Sequence, residues 1–275
     1  MVVLRSRPIP AFNATADSFR VAYGPGSVDV TLDPRDLDDT ASRIRDIRPQ
    51  VIVAIGMRAA ILARDEFPRV PLVYAMVPGP ARRELSGAGI TGISSEISPA
   101  LELETCARLL GVRRRLALVS GPRWRETHLH EARDAAAGLG ITLVVLDVRD
   151  PAGLADACRG SSETWDAAWL PADPDIATDD VFRFLLEFTL SRRRPLLTFA
   201  EPLVRAGALA ATAPDYGWVG DRLADAVRRI QSGERPGALG APPMRHARLV
   251  LNSATARAIG LAIPGDLMRD AEVVR

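Results

Sequence analysis

The feature that most constrains the fold is a regular alternation of short, wholly apolar runs with segments of helical periodicity. Residues 51–55 are apolar at every position, as expected for a parallel strand that is covered on both faces. The preceding segment, Leu37–Ile47, places apolar side chains at helical spacing, and Gly56 begins the turn into another helix. Strands and helices that alternate with short connections predict parallel sheets with right-handed crossovers, and therefore an α/β protein.

The alternation falls into two series. Apolar runs at 2–4, 28–32, 51–55, 70–77 and 90–93 predict the first set of strands, and runs at 116–120, 142–146, 167–170 and 196–199 predict the second. Residues 69–74 (RVPLVY) and 193–198 (RRPLLT) share a basic residue and a proline before a strand. A chain of 275 residues is long enough for two lobes with separate cores. The sequence therefore predicts two doubly wound lobes.

Residues 194–233 combine a strand, an acid at Glu201, a small-residue segment at 207–213 and a helix from Asp215 to Gly233. The small residues are expected to let the connecting strand pass close to its neighbours. The helix is expected to pack on the first lobe through its apolar side, which consists of Val219, Leu223, Val227 and Ile230.

Composition excludes several classes of function. The 35 basic and 34 acidic residues leave a net charge of +1, so no overall field favours nucleic acid. Every basic residue is Arg, and without Lys there is no Schiff base and no phosphate-loop lysine. No apolar run approaches the length of about 18 residues that a membrane span needs, so direct membrane insertion is not expected.

The sequence contains no complete local motif for a cofactor, a metal ion or a catalytic nucleophile. Gly24-Pro25-Gly26 is not a dinucleotide fingerprint, and Asp173, Asp175 and Asp179 lack the glycine of a calcium loop. His128 and His130 diverge on a helix, so they do not share a metal. The sequence thus predicts no cofactor, no metal and no catalytic residue. Cys106 and Cys158 fall in helical segments and are interpreted as buried free thiols; a racemase-like enzyme with paired thiols is the less favoured alternative.

Ligands of open parallel sheets bind beyond the carboxyl ends of the strands, so candidate site residues are sought there. A carboxylate would suit the helix N-termini at this edge, and an acid such as Asp173 would suit an ammonium group. The structural alternatives are an exposed loop acid for Asp173, a helix first turn for Glu201, core packing for Trp124 and a solvated helix face for Arg58. The predicted ligand-binding residues are Ser6, Gly56, Met57, Arg58, Met76, Val77, Ser120, Trp124, Asp173 and Glu201.

From about Pro49 onward, the sequence resembles the substrate-binding proteins of ABC transporters, in the family that includes tryptophan- and tyrosine-binding lipoproteins. The order and spacing of several short pieces carry the resemblance. They are 49–56 (PQVIVAIG), 91–94 (TGIS), 170–173 (LPAD), 203–209 (LVRAGAL), Asp215-Tyr216 with Gly220, and 249–252 (LVLN) with Ala256, Ile259-Gly260 and Ile263-Pro264.

The resemblance implies a type I periplasmic-binding fold, with two Rossmann-like lobes joined by three crossings and a ligand cleft between them. It assigns 1–95 plus 214–240 to lobe one, and 96–213 plus 241–275 to lobe two. It also implies a periplasmic or otherwise extracytoplasmic protein whose partners are a small organic ligand, an amino acid or related carboxylate, and ABC permease subunits. By similarity, Asp173 matches the family's acid, and 120–124 match its helix N-terminus in lobe two.

The sequence also departs from the family. Gly79-Pro80 stands where Asp-Pro is usual, and Gly121, Pro122 and Arg123 replace the usual Asn and Ser. Both departures fall in the expected cleft, which leaves the identity of the ligand open. No secretory signal is recognisable at the N-terminus, and it is expected to have been removed from this chain. A ligand-sensing domain of a signalling protein is the alternative that shares the fold.

Overall fold

The computed structural model describes residues 1–77, 84–94, 96–111, 115–148, 151–240, 244 and 246–274. They form two compact α/β units. Unit 1 comprises Met1–Glu96 and Pro214–His246, and unit 2 comprises Ile97–Ala213 and Ala247–Arg275, so that the chain passes between the units three times. The Gly79-Pro80 departure lies outside the described residues.

The elements follow the alternation expected from the sequence. Up to residue 93 they are β1 Val2–Arg5, α1 Pro10–Tyr23, β2 Val28–Thr31, α2 Leu37–Ile47, β3 Ile52–Ile55, α3 Met57–Glu66, β4 Leu72–Ala75 and β5 Ile90–Ile93. The next are α4 Pro99–Leu110, β6 Arg115–Ser120, α5 Pro122–Gly138, β7 Thr142–Asp147, α6 Leu154–Ser161, β8 Ala167–Trp169, α7 Asp179–Leu190, β9 Leu196–Thr198, α8 Glu201–Arg205 and β10 Ala210–Pro214. The last are α9 Tyr216–Gln231, β11 Ala247–Asn252, α10 Ser253–Ile259, α11 Gly265–Asp270 and β12 Glu272–Val274.

Local capping signals fix several helix ends. The Ser98 hydroxyl accepts a hydrogen bond from the Leu101 amide, and Pro99 occupies the first turn of α4. Thr178 caps α7 in the same way through the Val181 amide. Asp215 caps α9 by accepting from the Trp218 amide. These caps fix where the three helices begin, and α9 begins where the sequence predicts.

Unit 1 has a five-stranded sheet in the order β2-β1-β3-β4-β5, and all of its pairs are parallel. One face packs against α2 and α3 around a core that includes Leu4, Ile44 and Ile52. Helices α1 and α9 pack closely against each other. Their approach needs a glycine, because a Cβ on Gly220 would lie 2.6 Å from the backbone nitrogen of Phe19.

Helix α9 belongs to unit 1 although it follows β10 of unit 2. It contacts α1, β4 and β5, and all four side chains predicted to face inward are buried, namely Val219, Leu223, Val227 and Ile230. The third crossing lies later than the sequence places it. Met244 is buried, and the ring of His246 contacts Trp218 of α9, so both residues join unit 1.

Unit 2 has a seven-stranded sheet in the order β12-β11-β10-β9-β8-β6-β7. Strands β7, β6, β8, β9 and β10 pair in parallel, as do β11 and β12. The two faces carry separate cores, because Leu116 and Leu118 of β6 join one cluster and Ala117 and Val119 join the other. Strands β11 and β12 lie outside the two series of strands that the sequence predicts. The parallel sheets, together with the structural neighbours reported below, confirm the predicted type I fold.

In the described part of the chain, none of the helices has the length and apolar character that a membrane crossing requires.

Candidate functional site

Each sheet has a topological switch point, where the strand order reverses, and both lie next to predicted site residues. In unit 1 the reversal is between β1 and β3, which are followed by Ser6 and Gly56. In unit 2 it is between β6 and β8, and Ser120 is the last residue of β6. Because open parallel sheets bind ligands at such points, each unit presents a candidate binding edge.

The structure brings Ser6 and Gly56 together. The Ser6 hydroxyl oxygen accepts a 2.9 Å hydrogen bond from the Ala59 amide in the first turn of α3. Gly56 has a φ of +93°, and a Cβ there would come within 2.8 Å of both the Phe12 ring and the Ser6 hydroxyl. Only glycine therefore allows β1, α1 and α3 to meet at this corner.

The other predicted residues of unit 1 differ in exposure. Met57 begins α3 and is half-buried. Arg58 is exposed on the same helix, as expected of a residue on a solvated helix face. Val77 is buried. Met76 is half-buried directly after β4 and has a φ of +59°, the left-handed region that non-glycine residues rarely adopt. Strained backbone clusters at functional sites, but Arg48 and Arg193 have the same conformation at helix ends, so the strain makes Met76 a residue to test.

In unit 2 the structure joins Asp173 to the start of α5. One carboxylate oxygen of Asp173 accepts a 2.6 Å hydrogen bond from the Gly121 amide, and the other accepts a 3.0 Å bond from the Asp175 amide. Asp173 is only 1% exposed, so it is not the exposed loop acid of the structural alternative. Its carboxylate ties the loop after β8 to the N-terminus of α5 across the switch point.

Around this link, the first turn of α5 keeps unused donors. Gly121 offers no side-chain cap and Pro122 has no N–H, and among the described residues the amides of Arg123 and Trp124 have no hydrogen-bond acceptor. Ser120 is fully buried, and its hydroxyl oxygen has no hydrogen-bond partner in the described residues. Arg123 is held by a bidentate ion pair with Asp175. The edge thus combines uncapped amides with one unsatisfied hydroxyl.

Trp124 lies in a core cluster of unit 2 and is 8% exposed. Its ring meets Trp169 edge-on at 5.7 Å and stacks on His128 at 4.9 Å. The side chain of Trp124 therefore packs in the core, which was the alternative to a ligand-binding role.

Glu201 belongs to a network of exposed and half-buried charges. Its carboxylate pairs with Arg205 at 2.8 Å and Arg248 at 3.4 Å, and Glu272 pairs with the same two arginines. The hydrogen bond from Arg205 lowers the pKa of the Glu201 carboxyl. These contacts join α8, β11 and β12, which gives Glu201 a structural role in unit 2.

Two buried polar residues that are not among the predicted site residues lie near the carboxyl ends of β8 and β9. Glu102, in the first turn of α4, is 5% exposed and accepts a 2.6 Å hydrogen bond from the Trp169 indole. Thr198 ends β9, and its buried hydroxyl has no hydrogen-bond partner in the described part of the chain. The burial of Glu102 could have been predicted from the sequence, because Glu102 lies on the same helix face as the apolar residues Cys106 and Leu109.

The thiols do not form a catalytic pair. Cys106 and Cys158 are free and buried, as predicted, and they lie in the cores on opposite faces of the sheet. Burial raises the pKa of the Cys106 thiol, and Glu102 raises it further; burial also raises the pKa of Cys158 to about 11. Two protonated thiols separated by a sheet cannot flank one substrate. Among the described residues, no group of three His, Cys, Asp or Glu side chains could hold a metal ion.

The chain matches the family described as ABC transporter substrate binding protein over residues 29–275. It belongs to that family, which confirms the resemblance. No curated protein matches the sequence of this chain.

Solved structures share the fold. One is the ABC domain from Streptococcus pneumonia in complex with L-Trp, with a TM-score of 0.66, 18% identity and coverage of 100% of this chain and 99% of that one. The ligand-free, open substrate-binding protein with adhesive properties from Clostridium difficile has a TM-score of 0.82, 16% identity and coverage of 100% and 98%. A periplasmic solute-binding protein from Actinobacillus succinogenes with bound D-allose has a TM-score of 0.54, 10% identity and coverage of 90% and 96%.

Proposed function

We propose that this chain is the extracytoplasmic solute-binding component of an ABC transporter, which captures a small organic carboxylate, an amino acid or a related acid. It hands the ligand to permease subunits. The family match over residues 29–275 carries the proposal for the class of protein. The ligand class rests on the carboxyl edge of unit 2.

The uncapped amides of Arg123 and Trp124 lie at the positive end of a 17-residue helix and suit a ligand carboxylate. The neighbouring Ser120 hydroxyl can donate a further hydrogen bond, because it has no partner among the described residues. The protein bound to L-Trp supports an amino-acid ligand by analogy of fold alone.

In unit 1 we propose that the ligand-binding residues are Ser6, Gly56, Met57, Arg58, Met76 and Val77. Met76 is the first of these to test, because its left-handed backbone is the strained feature. In unit 2, Ser120 and the start of α5 contact the ligand directly. The side chains of Trp124, Asp173 and Glu201 hold that edge in place, because the Trp124 ring is packed in the core and the two carboxylates are already bonded to the protein.

A thermal-shift screen of the twenty amino acids, simple carboxylates and sugars tests the proposal. A ligand at about 100 times its Kd adds roughly 2.7 kcal/mol of stability. Each amino acid that responds is then compared with its amide and with its decarboxylated amine, which should both bind more weakly. A response confined to sugars would leave solute binding intact and refute the carboxylate. No response to any solute would count against the function itself.

Ser120→Ala provides the site test. The variant should weaken binding of the ligand found in the screen about 5-fold to 10-fold, in line with one lost hydrogen bond of about 1 kcal/mol. Its stability without ligand should be equal or higher, because the buried hydroxyl bonds to no described group. Ser191→Ala, at an exposed residue after α7, is the matched control. Equal Kd values for all three proteins would remove Ser120 from the site.

A further inference from the structure

A small cavity lies in unit 2, on the face of the sheet that α4 covers. It is lined by side chains from α4, β8, β9 and β10 and offers about 10 Å³ to a water molecule. The lining residues are Glu102, Thr105, Cys106, Trp169, Leu197, Thr198, Ala210 and Thr212. A space of this size holds about one water molecule.

The lining supplies hydrogen-bonding groups that the protein does not satisfy by itself. The Thr198 hydroxyl is buried and has no partner in the described residues. Glu102 is 5% exposed, and the Trp169 indole donates to one of its carboxyl oxygens at 2.6 Å. Thr212 is also 5% exposed. A buried hydroxyl without a partner is costly, and a bound water is the usual remedy.

The charge state of Glu102 follows from its surroundings. Cys106 is the other titratable group of the lining, while β8, β9 and β10 contribute an indole, two hydroxyls and apolar groups. From α5, Trp124 packs edge-on against Trp169, and His128 stacks on the far side of Trp124. The described residues of the lining include no cation. Burial raises the pKa of Glu102 to about 8, and the hydrogen bond from Trp169 opposes that rise.

We propose that this cavity is an internal site for one water molecule, which joins a neutral Glu102 carboxyl to the hydroxyls of Thr198 and Thr212. The protonated carboxyl donates to the water, and the water donates to a threonine oxygen. The site ties α4 to the ends of β8 and β9, at Trp169 and Thr198, and to β10. It does not depend on the identity of the transported solute.

The site also lies close, along the chain, to two of the crossings between units. Glu102 is in the first turn of the helix that follows the first crossing, and Thr212 is in the strand that precedes the second crossing. A water molecule bonded to the protonated Glu102 carboxyl would link the start of α4 to strand β10 of the sheet. The protonated Glu102 carboxyl and the threonine hydroxyls carry no charge, so the cavity holds a water molecule rather than a cation.

Crystals grown at pH 6 and soaked in a rubidium salt test the occupant. Density within hydrogen-bonding distance of Glu102 and Thr198, without an anomalous rubidium signal, supports the water. A rubidium peak in the cavity would show a cation beside an ionised Glu102 and overturn the proposal, and so would an empty cavity.

Infrared spectroscopy in solution tests the proton. The intact protein at pH 6 should show the carbonyl band of a buried carboxylic acid. The band should disappear in Glu102→Gln and persist in Glu104→Gln, which changes an exposed acid on the same helix. If the intact protein and Glu102→Gln have the same spectrum in this region, Glu102 is ionised and the proposal is wrong.

Discussion

Replacing Asp173 by Asn should destabilise the protein, because its carboxylate anchors the start of α5. Each oxygen accepts a backbone hydrogen bond, from Gly121 at 2.6 Å and from Asp175 at 3.0 Å, and the side chain is 1% exposed. Asparagine keeps one acceptor but turns an N–H₂ group toward a backbone donor. One charged hydrogen bond is worth about 1.5–3 kcal/mol, and loss of a charge near a helix N-terminus costs about 0.3–1 kcal/mol more.

The expected loss in the free energy of unfolding is therefore about 2–4 kcal/mol. Urea titration at pH 7, followed by circular dichroism, measures it. Asp175→Asn is the matched control, because it removes an ion pair whose Arg123 side chain is 82% exposed and should cost less than about 1 kcal/mol.

The result that refutes the reasoning is equal stability of the two variants. If Asp173→Asn also abolished ligand binding while the fold kept its stability, Asp173 would be the acid that meets a ligand ammonium. In that case Asp173 would contact the ligand directly, as the sequence predicts, rather than support the start of α5.

Three further predictions concern stability and thiol reactivity. Unfolding exposes Glu102 to water, where its pKa is near the ordinary 4.5 rather than about 8, so stability should fall as pH rises between those values. Between pH 5 and 8 the intact protein should lose roughly 3 kcal/mol more than Glu102→Gln; parallel pH profiles from urea titration would contradict this. Gly220→Ala should cost about 1–3 kcal/mol or more by thermal or urea unfolding, because its Cβ would meet the backbone of α1. Gly138→Ala, with no atom near its Cβ, should be neutral or stabilising, and equal effects would refute the close packing. Neither Cys106 nor Cys158 should react with Ellman's reagent until denaturant is added, since both thiols are buried; rapid labelling of either native thiol would disprove its burial.

Up to α9, the sequence determined most of the strands and helices, because the signals for them are local. Wholly apolar runs gave buried parallel strands, such as Ile52–Ile55. Cap residues fixed helix starts, as at Ser98. Helical spacing identified the buried side of α9. Each of these signals lies within one or two turns of chain, so the α/β class follows without tertiary information.

The tertiary structure decided what the polar residues of the site do. Asp173 meets Gly121 from 52 positions away, and Glu201 meets Arg248 from 47 positions away. Glu102 meets Trp169 across 67 positions. These partners come together only when parallel strands align their carboxyl ends, and no local pattern specifies which side chains will then bond. The sequence could place an acid at a strand end; only the fold showed whether its carboxylate was left for a ligand or used by the protein.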